Sequence, residues 1–511
     1  MCPHSHLKSI FGTTYTAVIM TTTPEVTKDQ IGDSGVSIIA ETPEEDDQPV
    51  LFDAVSEKKL LRKCDLHVLP PITFIFFLAF LDRTNIGNAK IQGLTKDLNL
   101  TGHDYNIALF VFFVPYILFE VPSNIIIKRV APSTWLSLVM VLWGIATIGQ
   151  GLVKNVGGLI ATRFLLGIFE AGVFPGCAYL ISMYYKRFEL QWRMSIFFCA
   201  AILAGAVSGL LAYGIANLGG VGGYGAWRWI FIIEGLFTVL VGVVSKWWIT
   251  DWPETASFLN DDERSLLLAH LAQDTGEAKM DELTPNARKR ILSDWKIYTG
   301  TFAYLGIVNT GYSGSFFIPT ILNEMGYEAT EAQIRTIPIF VVAAVICLGI
   351  AYTTDRLKHR YTFVMCGLAI SAVGYSLLLG QQHLSVGVKY FALFLVVGGG
   401  LSVQPITIAW LANNVSGHYK RSVAAATQIG LGNVGGIVAS NIFLDNEAPR
   451  FQTGYGVSLG FLGICAVACT VLFFGLKREN EKRDRGERDY RLGKGDAHNL
   501  GDDHPHWRFT T

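Results

Sequence analysis

Apolar segments long enough to cross a bilayer recur from residue 65 onward, each closed by a short polar or charged loop. They run roughly over 65–92, 105–128, 132–153, 159–184, 195–218 and 227–249. After a hydrophilic stretch they resume at 297–322, 333–354, 362–379, 388–413, 423–443 and 457–477. A helix of about 20 residues spans the hydrocarbon of a bilayer, and lipid offers no partner to an open sheet edge, so helices are the expected solution. The pattern predicts an all-α polytopic membrane protein with twelve transmembrane helices in two six-helix halves, 61–250 and 296–478.

The remaining stretches are polar. Residues 1–60 include the acidic run Thr42-Pro43-Glu44-Glu45-Asp46-Asp47, hold too little apolar surface to fold, and read as a disordered cytosolic tail. No cleavage site follows the mildly apolar 11–20, and Met20 is a second candidate start. The connector, 251–295, has a helix start at Asn260-Asp261-Asp262-Glu263 and an apolar stripe through Leu266, Leu267, Leu268 and Leu271, and is expected to lie on the membrane face. The charged, Gly-rich 479–511 reads as a second disordered tail.

Basic residues set the expected orientation. Lys58, Lys59, Arg62 and Lys63 precede the first segment; Lys128 with Arg129, then Lys186, Arg187 and Arg193, follow the second and fourth. Arg356, Lys358 and Arg360, then Lys420 and Arg421, occupy the equivalent loops of the second half. By the positive-inside rule both termini are cytosolic. Asn99-Leu100-Thr101 is then an outward-facing glycosylation sequon, close to the membrane.

Charges inside the apolar segments carry the chemistry. The uncharged run from Val68 to Leu81 rises only about 20 Å as a helix, so the first span continues through Asp82 and Arg83. A span that stopped at Asp82 would instead leave both charges among the headgroups. Ionisable residues at membrane depth mark a substrate, ion or proton path. Asp82 and Arg83 point about 100° apart and need partners elsewhere. Arg163 and Glu170, two turns apart on one face of the fourth segment, are the best candidates. Four such charges sum to zero and outline a proton-coupled anion carrier, the alternative being a structural ion-pair network.

Composition narrows the classes. Half of the 511 residues are hydrophobic, 16% are charged, and the net charge is −1. Nothing indicates a nucleic-acid partner. The eight cysteines form no Cys-x-x-Cys pair, so neither disulfides nor a zinc site are expected. No metal-ligand spacing, nucleophile elbow or phosphate loop stands out, and no enzyme, metal or cofactor is expected. The expected partners are a small solute, protons and the bilayer, with the chain acting as a monomer.

The two halves read as a repeat, with 351–360 in the second joining the segments that 124–129 joins in the first. Asp355-Arg356-Leu357-Lys358-His359-Arg360, Arg163 with Gly167, and Gly205, Gly209 and Gly214 resemble loop, fourth-helix and fifth-helix motifs of the major facilitator superfamily. Lys128 departs from the pattern, standing where an Asp is usual. Within that superfamily the chain resembles the anion:cation symporters, in particular the fungal allantoate permease group, and most of all nicotinate permeases. The likeness rests on 81–89, 119–124, 163–176, Trp227-Arg228-Trp229-Ile230-Phe231-Ile232-Ile233-Glu234-Gly235 and 410–421, with Leu61-Arg62-Lys63, Asp65 and 477–480 for the nicotinate permeases.

The resemblance implies proton-coupled symport of a small organic monocarboxylate such as nicotinate or a related pyridine carboxylate, at the plasma membrane. It assigns Asp82 and Glu170 as proton carriers and Arg83 and Arg163 as anion ligands. Arginine keeps its charge and grips a carboxylate with two donors, which suits that division. Asn85, within the first-span motif, is a further candidate substrate ligand; Asn309, Tyr312, Gln404 and Asn413 either line the far wall of the cavity and bind substrate or hydrogen-bond between helices. Phe316, Phe317 and Trp410 are candidates to stack on an aromatic acid. Glu120 ahead of Pro122, and the loop residues Asp355, Arg356 and Arg360, are candidates for gating. Export of a secondary metabolite and a nutrient sensor on the same scaffold are the alternative functions.

Overall fold

The computed structural model describes residues 54–101, 103–275, 284–357, 359–493 and 499–511. Most of the expected N-terminal tail, Met20 included, lies outside the described residues. Among them there is no strand. The first half comprises α1 (Ala54–Ala89), α2 (Asp104–Arg129), α3 (Pro132–Leu152), α4 (Val156–Glu170), α5 (Val173–Tyr184), α6 (Arg187–Ala216) and α7 (Ala226–Trp248). The connector forms α8 (Asp261–Thr275) and α9 (Pro285–Leu292). The second half comprises α10 (Trp295–Glu324), α11 (Ala329–Leu357), α12 (Arg360–Leu379), α13 (Val386–Asn413), α14 (His418–Gly432), α15 (Val434–Ile442) and α16 (Gln452–Asp484).

Eleven stretches among the described residues are long and apolar enough to cross a membrane, one fewer than the expected twelve. The difference is α10, at the seventh expected segment. At 30 residues it is long enough, but it buries Asn309, Thr310, Tyr312, Ser313 and Thr320. Its polar groups face protein, which relaxes the demand for an apolar surface.

Two expected spans are broken. The fourth splits into α4 and α5 after Glu170, where Pro175 withholds a backbone N–H from the Ala171 carbonyl of the preceding turn. The eleventh splits into α14 and α15 at Asn433. Beyond Ala89, α1 widens into a π turn, Lys90–Leu94, in which Gly93 takes φ 101°, a conformation open to glycine. At Gly167 a Cβ would collide with the Phe112 carbonyl, so the glycine lets α4 close on α2.

Within the halves α3 packs along α7, α1 along α6 and α2 along α4, and in the second half α12 along α13 and α10 along α16. The halves meet where α6 lies on α11, α2 on α15 and α1 on α10. Gly205 and Gly209 face Phe340 and Thr336 of α11, which gives that motif a role in joining the halves, whereas Gly214 has open space beside it.

The connector packs on protein. In α8, Leu267 and His270 are buried, Lys63 Nζ donates to Glu263 at 2.5 Å, and His270 Nδ1 lies 2.8 Å from Glu57. The Lys63 ammonium holds the Glu263 carboxyl below its usual range. In α9, Thr284 caps the first turn through Ala287 N, and Ala287 and Ile291 pack on Leu411, Val415 and Ala424.

The tail after Glu479 departs most from expectation. The α16 helix continues to Asp484, and helical turns follow at Asp489–Arg491 and Gly501–Asp503. Asp502 is fully buried and accepts from Lys296 Nζ at 2.5 Å, Lys420 Nζ at 2.9 Å and Ser416 N at 3.1 Å. Arg483 donates to the carbonyls of Asp502, His504 and Trp507, and Thr510 closes on Trp410 and Asn414. A composition too polar for a core folds here because its charges meet fixed partners on α10 and α14.

Candidate functional site

The organising charges of α1 are buried, Asp82 completely and Arg83 to 3% exposure, and they face opposite neighbours as the helical period requires. Asp82 turns to α3 and α7, where its Oδ2 accepts from Trp143 Nε1 at 2.9 Å and Thr238 Oγ1 at 3.0 Å. Asn85, one turn on, donates to Glu234 on α7. Arg83 turns to the bundle centre. It pairs with Glu170 at the end of α4 and donates through Nη1 to the Tyr312 hydroxyl on α10 at 2.5 Å. Tyr312 in turn donates to Asn433 Oδ1 at 3.1 Å, at the break between α14 and α15.

The expected partnership is therefore half realised. Arg83 meets Glu170, but Asp82 is held by neutral donors and not by Arg163. Arg163 is buried at 1% exposure within the field of Asp82, Glu170 and Tyr105, and its Nε and Nη2 have no hydrogen-bond partner. Glu234, fully enclosed in α7, adds a third acid, so the expected neutral quartet is a group of five.

Aromatic rings wrap Arg83. Its guanidinium carbon lies 4.9 Å from the centroids of Phe80 and Phe112, 5.0 Å from Tyr116 and 5.6 Å from Tyr312. Such contacts favour a cation more strongly away from water. Arg83 opens on a narrow cavity of about 30 Å³ between the halves. Phe80, Tyr116 and Phe174 line it from the first half, and Tyr312, Gln404 and Asn433 from the second. Among the described lining residues Arg83 is the one that carries a charge.

Of the expected substrate ligands, Arg83, Tyr312 and Gln404 reach this cavity. Gln404 also donates to the Ile307 carbonyl at 3.3 Å. Arg163 and Asn85 stand behind it, and Asn309 donates to the Gly435 carbonyl at 3.5 Å. Asn413 lies at the connector end of α13 beside Arg360, and with its amide turned so that the oxygen accepts, Arg360 Nη1 donates to it at 3.0 Å. Phe316 stacks on Tyr312, Phe317 on Phe443, and the Trp410 indole donates to the Thr510 carbonyl, away from the cavity.

The expected gating residues scatter. Both oxygens of buried Glu120 have no partner, and the carboxylate faces Gly430 of α14 across the interface between the halves. Arg356 is exposed over the Tyr352 ring, Arg360 donates to the Ala409 carbonyl at 3.2 Å, and the Asp355 side chain lies outside the described residues. A closure that the sequence reading missed sits at the opposite end. Lys90 reaches Asp445 at 2.7 Å over the Tyr105 ring, Asn106 donates to the Ser440 carbonyl at 2.6 Å, and Gln92 to Gln333 at 3.1 Å. Asn99 is exposed at the same end with φ 50°.

Other residues that the sequence reading left unassigned are Glu234, Trp143, Thr238 and Asn433. Glu234 had a signal, a lone acid in the apolar run Ile230 to Gly235, the rule that singled out Asp82. The others are polar groups of ordinary kind, and their role is a matter of which helix lies opposite.

The fold and this internal site are those of a membrane transporter. Residues 72–440 match the Major Facilitator Superfamily, and the chain belongs to it. It is 34% identical to the MFS-type transporter cnsO of Penicillium expansum, covering 90% of this chain and 92% of the relative. It is 32% identical to the major facilitator-type transporter hxnP of Emericella nidulans, over 91% and 96%. It is 30% identical to the high-affinity nicotinic acid transporter of Saccharomyces cerevisiae, over 87% and 83%. Among solved structures, an inward-facing, occupied bacterial homolog of the human lysosomal transporter Spinster shares the fold with TM-score 0.58 at 17% identity, over 80% of this chain and 96% of that one.

Proposed function

We propose that the protein is a proton-coupled symporter of a small organic monocarboxylate, with nicotinate or a related pyridine carboxylate as the first candidate. The observation that carries this is Arg83, the charge on the cavity wall, held by Glu170 and enclosed by aromatic rings. A substrate carboxylate fits the two-donor geometry of the guanidinium and takes the place of Glu170 there. The released Glu170, buried and without its counter-ion, takes up a proton, which links substrate binding to protonation. Phe80, Tyr116 and Tyr312 offer faces on which a planar ring stacks.

Both termini and the connector lie in the cytosol in this reading, which the basic loops support. The bonds from Lys90, Asn106 and Gln92 then close the outer end. The plasma membrane is the proposed location, in keeping with the yeast nicotinic acid transporter among the relatives, and the carrier works as a monomer.

Uptake of labelled nicotinate by cells lacking their own permease, at pH about 5 and about 7.5, with unlabelled carboxylates as competitors, tests this. Acid-stimulated uptake that an uncoupler abolishes is the expected result, with the competitors ranking the substrates. No uptake of nicotinate or any competitor, with the protein at the cell surface, would overturn import and favour export.

A further inference from the structure

Asn85 and Glu234 form one rung between α1 and α7, and Asp82 and Thr238 form the next, one helical turn away on both helices. The two carboxyls are thus neighbours, close enough for the charge on Asp82 to act on Glu234. Their hydrogen bonding is unequal. Asp82 accepts from two donors on one oxygen, while Glu234 accepts from Asn85 alone, and Asp82 Oδ1 and Glu234 Oε1 have no partner.

The charge balance sharpens the point. Asp82, Glu170 and Glu234 are three acids, Arg83 and Arg163 two bases, all buried to 3% exposure or less. With every group ionised the cluster would carry one uncompensated negative charge. An unpaired carboxylate in a water-poor interior costs several kcal/mol, and taking up a proton removes that cost. The elements packed against α7 bring Asp82 and Arg83 from the middle of α1 and no titratable side chain from α3. The spanning part of α6 brings Arg193, already held by Asp65, with Cys199 and the exposed Tyr213. The π turn that follows α1 also packs on α7 and brings Lys90, which Asp445 holds, so no further cation in that set offsets the extra acid.

We infer that Glu234 and Asp82 share one proton as a coupled carboxyl pair behind the cavity, and that this pair acts alongside Glu170 in linking transport to the proton gradient. The inference rests on the symport reading and deepens it. Asp82 adjoins Arg83 in the chain, so a change of charge on the pair reaches the guanidinium that binds substrate.

The test is Glu234→Gln, which keeps an oxygen for Asn85 and removes the titratable group. Nicotinate accumulation driven by a pH gradient should fall at least about tenfold, counterflow at equal pH much less, and Glu234→Asp should restore part of the gradient response. Infrared difference spectra of the purified carrier across a pH titration should show the carbonyl stretch of a protonated carboxyl weakened in Glu234→Gln. A Glu234→Gln carrier that retains both the gradient response and that band would overturn the inference. If the wild type itself shows no acid-driven uptake, the symport reading fails, and the infrared band still decides whether Glu234 holds a proton. Thermal melting of both variants separates a folding defect from a coupling defect.

Discussion

Two buried charge clusters, one at the connector end of α10 and α14 and one on the first-half helices at the bundle centre, differ in how completely they are satisfied. At the connector end Asp502 has both oxygens occupied, by Lys296, Lys420 and the Ser416 amide. In the bundle centre Arg83 Nε, Glu170 Oε2, Arg163 Nε and Nη2, Asp82 Oδ1 and Glu234 Oε1 have no partner. A saturated network fixes one arrangement and leaves nothing to exchange. An unsaturated one, built from residues of the same type and burial, keeps places for a carboxylate and a proton, and that is what a carrier requires of its centre. The comparison also separates two uses of a buried acid, since Asp502 holds a tail in place while Glu170 can be displaced.

Three experiments press on this contrast. The largest effect on transport is expected from Arg83→Ala, which removes the charged group of the cavity wall. Uptake per folded carrier should drop at least about 100-fold, in line with the loss of a buried charge-assisted pair. Retention of more than a tenth of wild-type uptake would show that Arg83 is not the anion ligand.

A smaller effect is expected from Tyr312→Phe, which keeps the ring beside Arg83 and loses the hydroxyl that bridges to Asn433. One such hydrogen bond is worth about 1 kcal/mol, so the apparent KM should rise about fivefold with little change in maximal rate.

The smallest effect on transport, and the largest on stability, is expected from Asp502→Ala. Lys296 and Lys420 would then share Asp294 alone, and the one positive charge left uncompensated should cost about 3 kcal/mol, seen as a lower melting temperature and faster proteolysis of the tail, with uptake per folded carrier nearly unchanged. Burial alone would raise the Asp502 carboxyl, but Lys296 and Lys420 outweigh it and hold it well below the usual carboxylate range. A depressed carboxyl stabilises docking fully above its unfolded value, about 3.9, and loses that contribution only as the pH falls through the folded value. Protection of the tail from protease should therefore be constant from neutral pH down to about 4. Release of the tail near pH 6 would contradict the ion-pair account.

Much of the fold is legible in the sequence. Hydrophobic length alone places the helices near their observed ends, and the charges that interrupt a span pick out Asp82, Arg83, Arg163 and Glu170, all of which are buried together. The misses share a cause. The α10 helix falls short in apolarity because its polar residues face protein, Trp410 is taken by the tail, and Asn413 by Arg360. Composition predicts a disordered tail because it counts charges without knowing what they will meet.

The sequence by itself determined that this is a helical membrane protein and which residues bring charge to membrane depth, because the energy of a segment in lipid depends on its own length and polarity. Tertiary structure alone decided the pairing. It gave Glu170 to Arg83, gave Asp82 to Trp143 and Thr238, and set Glu234 beside them, since a hydrogen bond is fixed by which helix lies opposite and at what rotation, and no local pattern encodes that.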